Sequence, residues 1–394
     1  MIDHNFCART IDVYLARLLF IQFAVTTSPL FDYIGAPSSI LTVLFFLVSM
    51  SFIGFYVADV SRRYILFSCV IFSIFIFFAI YWGDFKLGFY PIYFIQSLII
   101  FSSLSFLGVK LFARYMFFYM FLIVFFSVLS SIYFLLGGGP LFSILNTDGR
   151  INNMYLLSFS NSNNGFLIRP SGSFDEAGAL SFHLCMILAF RRMTGQNNKF
   201  DLPVLFMGFV TLSLAHLVFS FMYFLSLIKN IKSFFQYLFI FFIVVSSSLF
   251  FLKDTSIGSY AQSRMTINED GSLRGDSRSG LISNAFSKID SSILFAGIDS
   301  KCMTSYSDCV RKYGAMGENP ISPLIFMGVI LSLPYYMFLI ILVTFPRGTG
   351  NKIIGLSIAL LFMQRPYFYH IGYTMWVALL LIYLFGKHRV SNQN

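Results

Sequence analysis

Apolar runs of about 20 residues, the length that crosses the hydrocarbon core of a bilayer, recur along this chain from one end to the other. Nothing constrains its fold more. A backbone in lipid must satisfy its polar groups internally, and a run of that length does so as a helix. Only 11% of the residues are charged, less than half the roughly 25% of a soluble domain. The sequence therefore predicts an all-α polytopic membrane protein, one integral membrane domain over residues 1–394. Candidate spans are 11–30, 38–58, 64–82, 89–109, 115–136, 177–190, 234–252, 321–345, 353–366 and 367–386. No removable signal peptide is expected, because residues 1–9 are not followed by a short apolar core with a small-residue cleavage site.

The net charge of +10 invites a nucleic-acid reading, but its distribution argues against one. The cations gather in small groups between apolar runs: Arg62 with Arg63, Lys110 with Arg114, Arg191 and Arg192 with Lys199, Lys229 with Lys232, Arg347 with Lys352, and Lys387 with Arg389. That is the pattern of the positive-inside bias. The basic balance thus reports topology, with membrane lipids as partners and no nucleic acid. Charges within the spans are scarce, which weakens an ion-coupled transporter reading.

Residues 201–228 decide the topology. Keeping every basic cluster on one side requires an even number of crossings between Arg192 and Lys229, yet 28 residues are too few for two full spans of about 20. Two short helices meeting near Ser213–His216 resolve the conflict, since broken helices are tolerated where they line a polar cavity. A single full span is the alternative, and it moves the later loop to the other face. The short pair gives about 12 transmembrane segments, two of them short or broken. Gln364–Tyr367 then lies at the outer surface.

Two polar islands, 137–176 and 253–320, fall on that same outer face and hold all three glutamates, Glu176, Glu269 and Glu318. The second island carries eight Lys/Arg and eight Asp/Glu, so it is neutral overall. The first ends in Arg169-Pro170-Ser171-Gly172-Ser173-Phe174-Asp175-Glu176, a shaped turn because Pro and Gly break helices. Arginine's planar fork suits phosphate, so Arg169 is a candidate diphosphate ligand; a surface ion pair with Asp175 or Glu176 is the plainer alternative. For the two acids the plainer role is complementing the dipole of the next helix. In the second island Arg264, Arg274 and Arg278 precede Leu281–Ile289, which reads as a short amphipathic helix. Arg278 just ahead of a helix N-terminus makes a diphosphate clamp, against a solvated loop of alternating charge.

Tyr313 and Glu318 close the second island. Partial desolvation at the membrane rim would raise Glu318 towards a general base; dipole complementation of the following span is the alternative. His216, the one histidine in the broken-helix region, is a candidate substrate contact, against a packed, hydrogen-bonded core histidine. Cys302 and Cys309 lie six residues apart and are read as a disulfide on an oxidising face, or as two free thiols. Cys7, Cys69 and Cys185 read as small buried hydrophobes. No metal site is expected, since the second island adds no histidine to its two cysteines.

In this order and topology the residues resemble the O-antigen polymerase and O-antigen ligase superfamily of bacterial inner membranes. Arg169 to Glu176 is similar to the family's Arg-x-x-Gly-x-Phe pattern with a following acid, and Arg278 ahead of Phe295-Ala296-Gly297 resembles its second-loop arginine. Arg264 to Gly275 fits the family's arginine–ten residues–glycine spacing, which neither Arg150 nor Arg169 reproduces. Glu318-Asn319 stands where ligases and some polymerases carry His-Asn, which favours a polymerase with Glu318 as base.

The resemblance implies a GT-C-like fold with two long periplasmic loops and an inverting, metal-independent, cofactor-free glycosyltransferase facing the periplasm. Its substrates would be oligosaccharides on undecaprenyl diphosphate, with a chain-length regulator protein as a further partner. Arg169 and Arg278 would bind diphosphate, with Glu318 as base and Glu176 as second choice. Tyr155, Tyr306 and Tyr313 would stack on sugars, and Glu269 would be dispensable. The alternatives are an O-antigen ligase and, from another class, a lipid-linked oligosaccharide flippase. A flippase needs charges inside the bundle and short loops, the opposite of this pattern.

Overall fold

The computed structural model describes residues 4–33, 89–145, 150–161, 167–228, 278–287, 291–298, 319–366 and 371–385, with scattered positions within 44–80 and 235–243. The protein is mostly helical. Among the described residues Phe106–Leu135 is long and apolar enough to cross a bilayer, and Ser322–Thr344 is so by length and composition although its backbone breaks at Gly328, consistent with a helical membrane protein.

Helices α1 (His4–Thr26), α2 (Phe89–Ser103) and α3 (Phe106–Leu135) open the described bundle. Ser105 caps α3, its hydroxyl oxygen accepting from the Gly108 amide at 3.3 Å. Asp12 of α1 in turn accepts from the Ser105 amide at 3.0 Å and from its hydroxyl. That cap starts the helix ahead of Lys110 and Arg114, so these two lie inside α3 and not in a turn between spans 89–109 and 115–136. The Lys110 ammonium rests 4.2 Å from the Phe106 ring centre. α3 stops at Gly137, whose φ of 89° is left-handed and whose amide returns to the Phe134 carbonyl, the usual way glycine ends a helix.

The first island is not all loop. It forms a three-stranded antiparallel meander, β1 (Phe142–Leu145), β2 (Ile151–Tyr155) and β3 (Ser158–Ser160), with Phe142 opposite Met154 and Met154 opposite Phe159. Two α3 serines stitch the sheet down: Ser130 donates to the Tyr155 carbonyl at 2.5 Å, and Ser127 bonds Ser158 at 3.2 Å. The all-α expectation is amended here.

α4 (Ala177–Met193) is buried along almost its whole length. Residues 201–228 are the short pair: α5 (Asp201–Met207), a 3₁₀ turn (Gly208–Thr211), then α6 (Leu214–Leu227). The chain reverses at Leu212, a left-handed residue with φ 49°. Both feet of this hairpin are held at the end of α4. Arg191 Nη2 pairs with Asp201 Oδ1 at 2.9 Å, and Arg192 Nη2 donates to the Ser226 carbonyl at 2.7 Å.

In the second island α7 (Arg278–Phe286) and α8 (Ser291–Ala296) are short, and α8 packs on α9 (Ser322–Thr344). α9 is not the single span 321–345 of the sequence. It breaks at Gly328 (φ 68°, ψ 179°), and the Tyr336 hydroxyl donates to the Pro320 carbonyl at 2.9 Å across a separation of 16 residues. In an unbroken helix that separation would span about 24 Å, so the first piece folds back along the second. α10 (Thr349–Gln364) and α11 (Ile371–Phe385) complete the bundle. α11 is tied to α4 by Trp376 Nε1, which donates to His183 Nδ1 at 3.0 Å, and by the Tyr383 hydroxyl, which donates to the Met193 carbonyl.

Candidate functional site

Arg169–Glu176 is held by a dense set of hydrogen bonds. The Ser171 amide donates to the Phe159 carbonyl at 2.7 Å, and Phe159 returns a bond to the Gly172 carbonyl at 2.8 Å. The Gly172 amide reaches Ser158 Oγ at 2.9 Å, Ser160 Oγ holds the Arg169 carbonyl at 2.9 Å, and Tyr119 of α3 bonds Ser173 at 2.8 Å. Gly172 is required twice: its φ is 63°, and a Cβ there would run into the Ile123 side chain. Phe174 is buried and stacks on His183 with ring centres 4.9 Å apart. The turn forms because Pro170, Gly172 and the serines Ser171 and Ser173 let the backbone approach Ser158 and Ser160 of β3 and Tyr119 of α3.

At the end of the turn the carboxylates meet two arginines. Glu176 takes the N-cap position of α4 with extended backbone and no side-chain capping bond. Its carboxylate turns instead to Arg365 Nη2, which pairs with Oε1, and to Arg150 Nη1, 3.2 Å from Oε2. Arg150 Nη2 also lies 3.6 Å from Asp175. Burial alone would raise the Glu176 carboxyl, but the Arg365 and Arg150 guanidiniums outweigh it and hold it below its ordinary value of 4.5. Arg365, only 6% exposed, ends α10 and donates from Nη1 to the Tyr373 hydroxyl at 3.3 Å. It reaches Glu176 because Gly178 has no side chain; a Cβ there would overlap the guanidinium. Sequence reasoning put Arg365 at the outer surface and missed this role. A lone arginine between an apolar run and Pro366, outside every basic cluster, was the available signal.

No family model, curated protein or solved structure matches this chain. The chemistry of the site follows from its own geometry.

Arg169 reaches across to the α5–α6 hairpin. Its Nε donates to the Thr211 carbonyl at 3.3 Å, at the tip of the α5–α6 hairpin. His216, 0% exposed, belongs to that hairpin's interior. Its Nε2 donates to the Leu205 carbonyl at 2.8 Å, while Nδ1 faces the Cys185 thiol at 3.3 Å. With both ring nitrogens engaged, His216 fastens α5 and α6 to α4 and is not presented to a substrate. Tyr155 is corrected likewise: 1% exposed and edge-on to Phe134 at 5.4 Å, it cannot stack on a sugar.

From the second island, Arg278 opens α7 itself, a few residues before the expected helix start. Gly297 ends α8 with φ 81°, the Ile298 amide donating to the Ile325 carbonyl at 2.8 Å, just before the break in α9. Asn319 is buried, and its Oδ1 accepts from the Ile321 and Ser322 amides at 2.9 and 3.1 Å, turning the chain into α9. Arg264, Glu269, Arg274, Cys302, Tyr306, Cys309, Tyr313 and Glu318 lie outside the described residues. The structure thus brings together Glu176, Asp175, Arg150 and Arg365 at one end of the bundle. Arg169 stands against the hairpin tip.

Proposed function

We propose that the protein is an O-antigen polymerase. It extends a glycan on undecaprenyl diphosphate by inverting, metal-independent transfer at the periplasmic face of a bacterial inner membrane. Its full architecture in this reading is about 12 spans on a GT-C-like plan. The observation that carries the reading is the Arg169–Glu176 turn, pinned by β3, α3 and Arg365 across one end of an apolar bundle. A fixed platform of guanidiniums and carboxylates at a membrane surface suits a substrate with an anionic head and a polyprenyl tail. Guanidiniums stabilise charge developing on a diphosphate leaving group.

The division of labour in this reading is the one the family resemblance implies. Arg169 and Arg278 bind diphosphate. Glu176, committed to two guanidiniums and held below the usual range, is a weak proton acceptor near neutrality. That leaves Glu318, the base the resemblance implies, to take the acceptor hydroxyl's proton. The described ion pairs lie at helix ends and not along a mid-bundle path, which favours an enzyme over a flippase.

Purified protein incubated with undecaprenyl diphosphate-linked repeat units should yield a polysaccharide ladder, and Arg278→Ala should stop at the single unit. A wild-type reaction that returns only unextended units, or an unchanged ladder from the variant, counts against this assignment. Accumulation in cells of lipid-linked polymer unattached to lipid A–core would point to the ligase instead.

A further inference from the structure

We propose that Arg150 and Arg365 form an anion site for a phosphoryl or diphosphoryl group, occupied in this structure by the protein's own Glu176 carboxylate. Two guanidiniums from distant segments, one just ahead of β2 and one at the end of α10, converge on the two oxygens of a single carboxylate. That is the arrangement of an anion held between two forks. Glu176 stands in for the oxygens of such an anion.

Three further features fit an exchangeable occupant better than a strut. Arg365 is held independently of Glu176, because the Tyr373 hydroxyl accepts from its Nη1. The emptied slot would therefore keep its buried guanidinium in place. Arg150, with a side chain 46% exposed, stands at the mouth, while Arg365 at 8% forms the floor. Glu176 itself leaves the first turn of α4 without a side-chain cap. The Ala177 and Gly178 amides therefore lie beside the slot for an incoming anion, while the Ala179 amide is taken by the Glu176 carbonyl at 3.0 Å. A phosphoryl group, with more charge and more acceptor oxygens than a carboxylate, is the ligand this set prefers. The site itself does not depend on the polymerase reading, which supplies only a source for the diphosphate.

Binding of inorganic pyrophosphate to the detergent-purified full chain, followed by calorimetry at low salt, tests the assignment. If Glu176 competes for the slot, Glu176→Gln should tighten binding by about tenfold or more, the factor expected when the competent state is a tenth populated or less. Arg365→Gln should abolish binding and Arg150→Gln should weaken it. A strut predicts the opposite sign, so equal or weaker binding by Glu176→Gln overturns the proposal. Should that variant fail to fold, Glu176→Asp, whose carboxylate is one methylene shorter, must bind more tightly than wild type, and an unchanged affinity overturns it. Farnesyl diphosphate in the same micelles separates the sources. Tighter binding than pyrophosphate supports a lipid headgroup, and equal binding supports a free anion. Binding of neither by any variant refutes the site, whatever the ladder assay returns.

Discussion

Gly178 is where one hydrogen atom decides an ion pair. A methyl group at this position overlaps the Arg365 guanidinium, so Gly178→Ala should separate Arg365 from Glu176. Losing a partner of a largely buried pair costs about 3 kcal/mol. The expected result is a lower thermal midpoint in detergent, with Gly178→Ala and Arg365→Gln no worse combined than singly, since both remove one contact. Little of this was legible beforehand. Glycine two residues into a helix after two acids suggests nothing, and Arg365 resembles an ordinary interfacial cation. Arg169 and Glu176 stood out in the sequence as candidates because proline and glycine mark their turn. Their partners did not, because Thr211 and Arg365 come from elements that only tertiary packing brings near. Tyr155 misled for a general reason: an aromatic in a polar island reads as exposed, whereas the meander buries it against Phe134.

At the scale of elements, the α5–α6 hairpin was readable from arithmetic. Twenty-eight residues between two basic clusters cannot cross twice as full spans, and the chain reverses at Leu212 next to the expected place. The β-meander was not readable, because its β2–β3 turn is Leu156-Leu157, with none of the Asn or Gly that announce a hairpin. Nor was the break in α9. Pro334 is the louder helix breaker in that run, yet the helix continues through it and breaks at Gly328. There α8 docks, and Gly297 permits the approach: its φ is 81°, and a Cβ would press on the Phe326 carbonyl. Gly297→Ala should therefore loosen α8 from α9, with about 1–3 kcal/mol of strain and clash. Faster amide hydrogen exchange confined to 291–298 and 322–328 would register it.

Among the described residues, two polar ends of the bundle are separated by α4, which spans roughly 25 Å at 1.5 Å per residue. One end holds Glu176 and Arg365; the other holds Arg191 with Asp201 and Arg192 with Ser226. In the proposed topology the first end faces outward. A cysteine introduced at Ser272 should then react with an impermeant thiol reagent added to intact cells, and protection there would reverse the orientation. The outward lock should also depend on pH in a defined sense. Glu176 titrates below its ordinary value of 4.5 in the folded protein. Its contribution is thus complete above that value and lost as pH falls through the lower folded one. The thermal midpoints of wild type and Glu176→Gln should differ at pH 7 and converge in increasingly acidic buffer below 4.5. A constant gap would mean that the carboxyl is not the source.

The closing of α4 by α11 carries a consequence for biosynthesis. Trp376 and His183 meet across 193 residues of chain, and Arg365 is made nearly as long after Glu176. At the ribosome's pace of about 5–20 residues per second, α4 waits roughly ten to forty seconds for those partners. Throughout that interval Glu176 has Arg150 but not Arg365, and His183 lacks the Trp376 indole N–H. A stalled or truncated chain would present these half-paired groups to the cell's quality control.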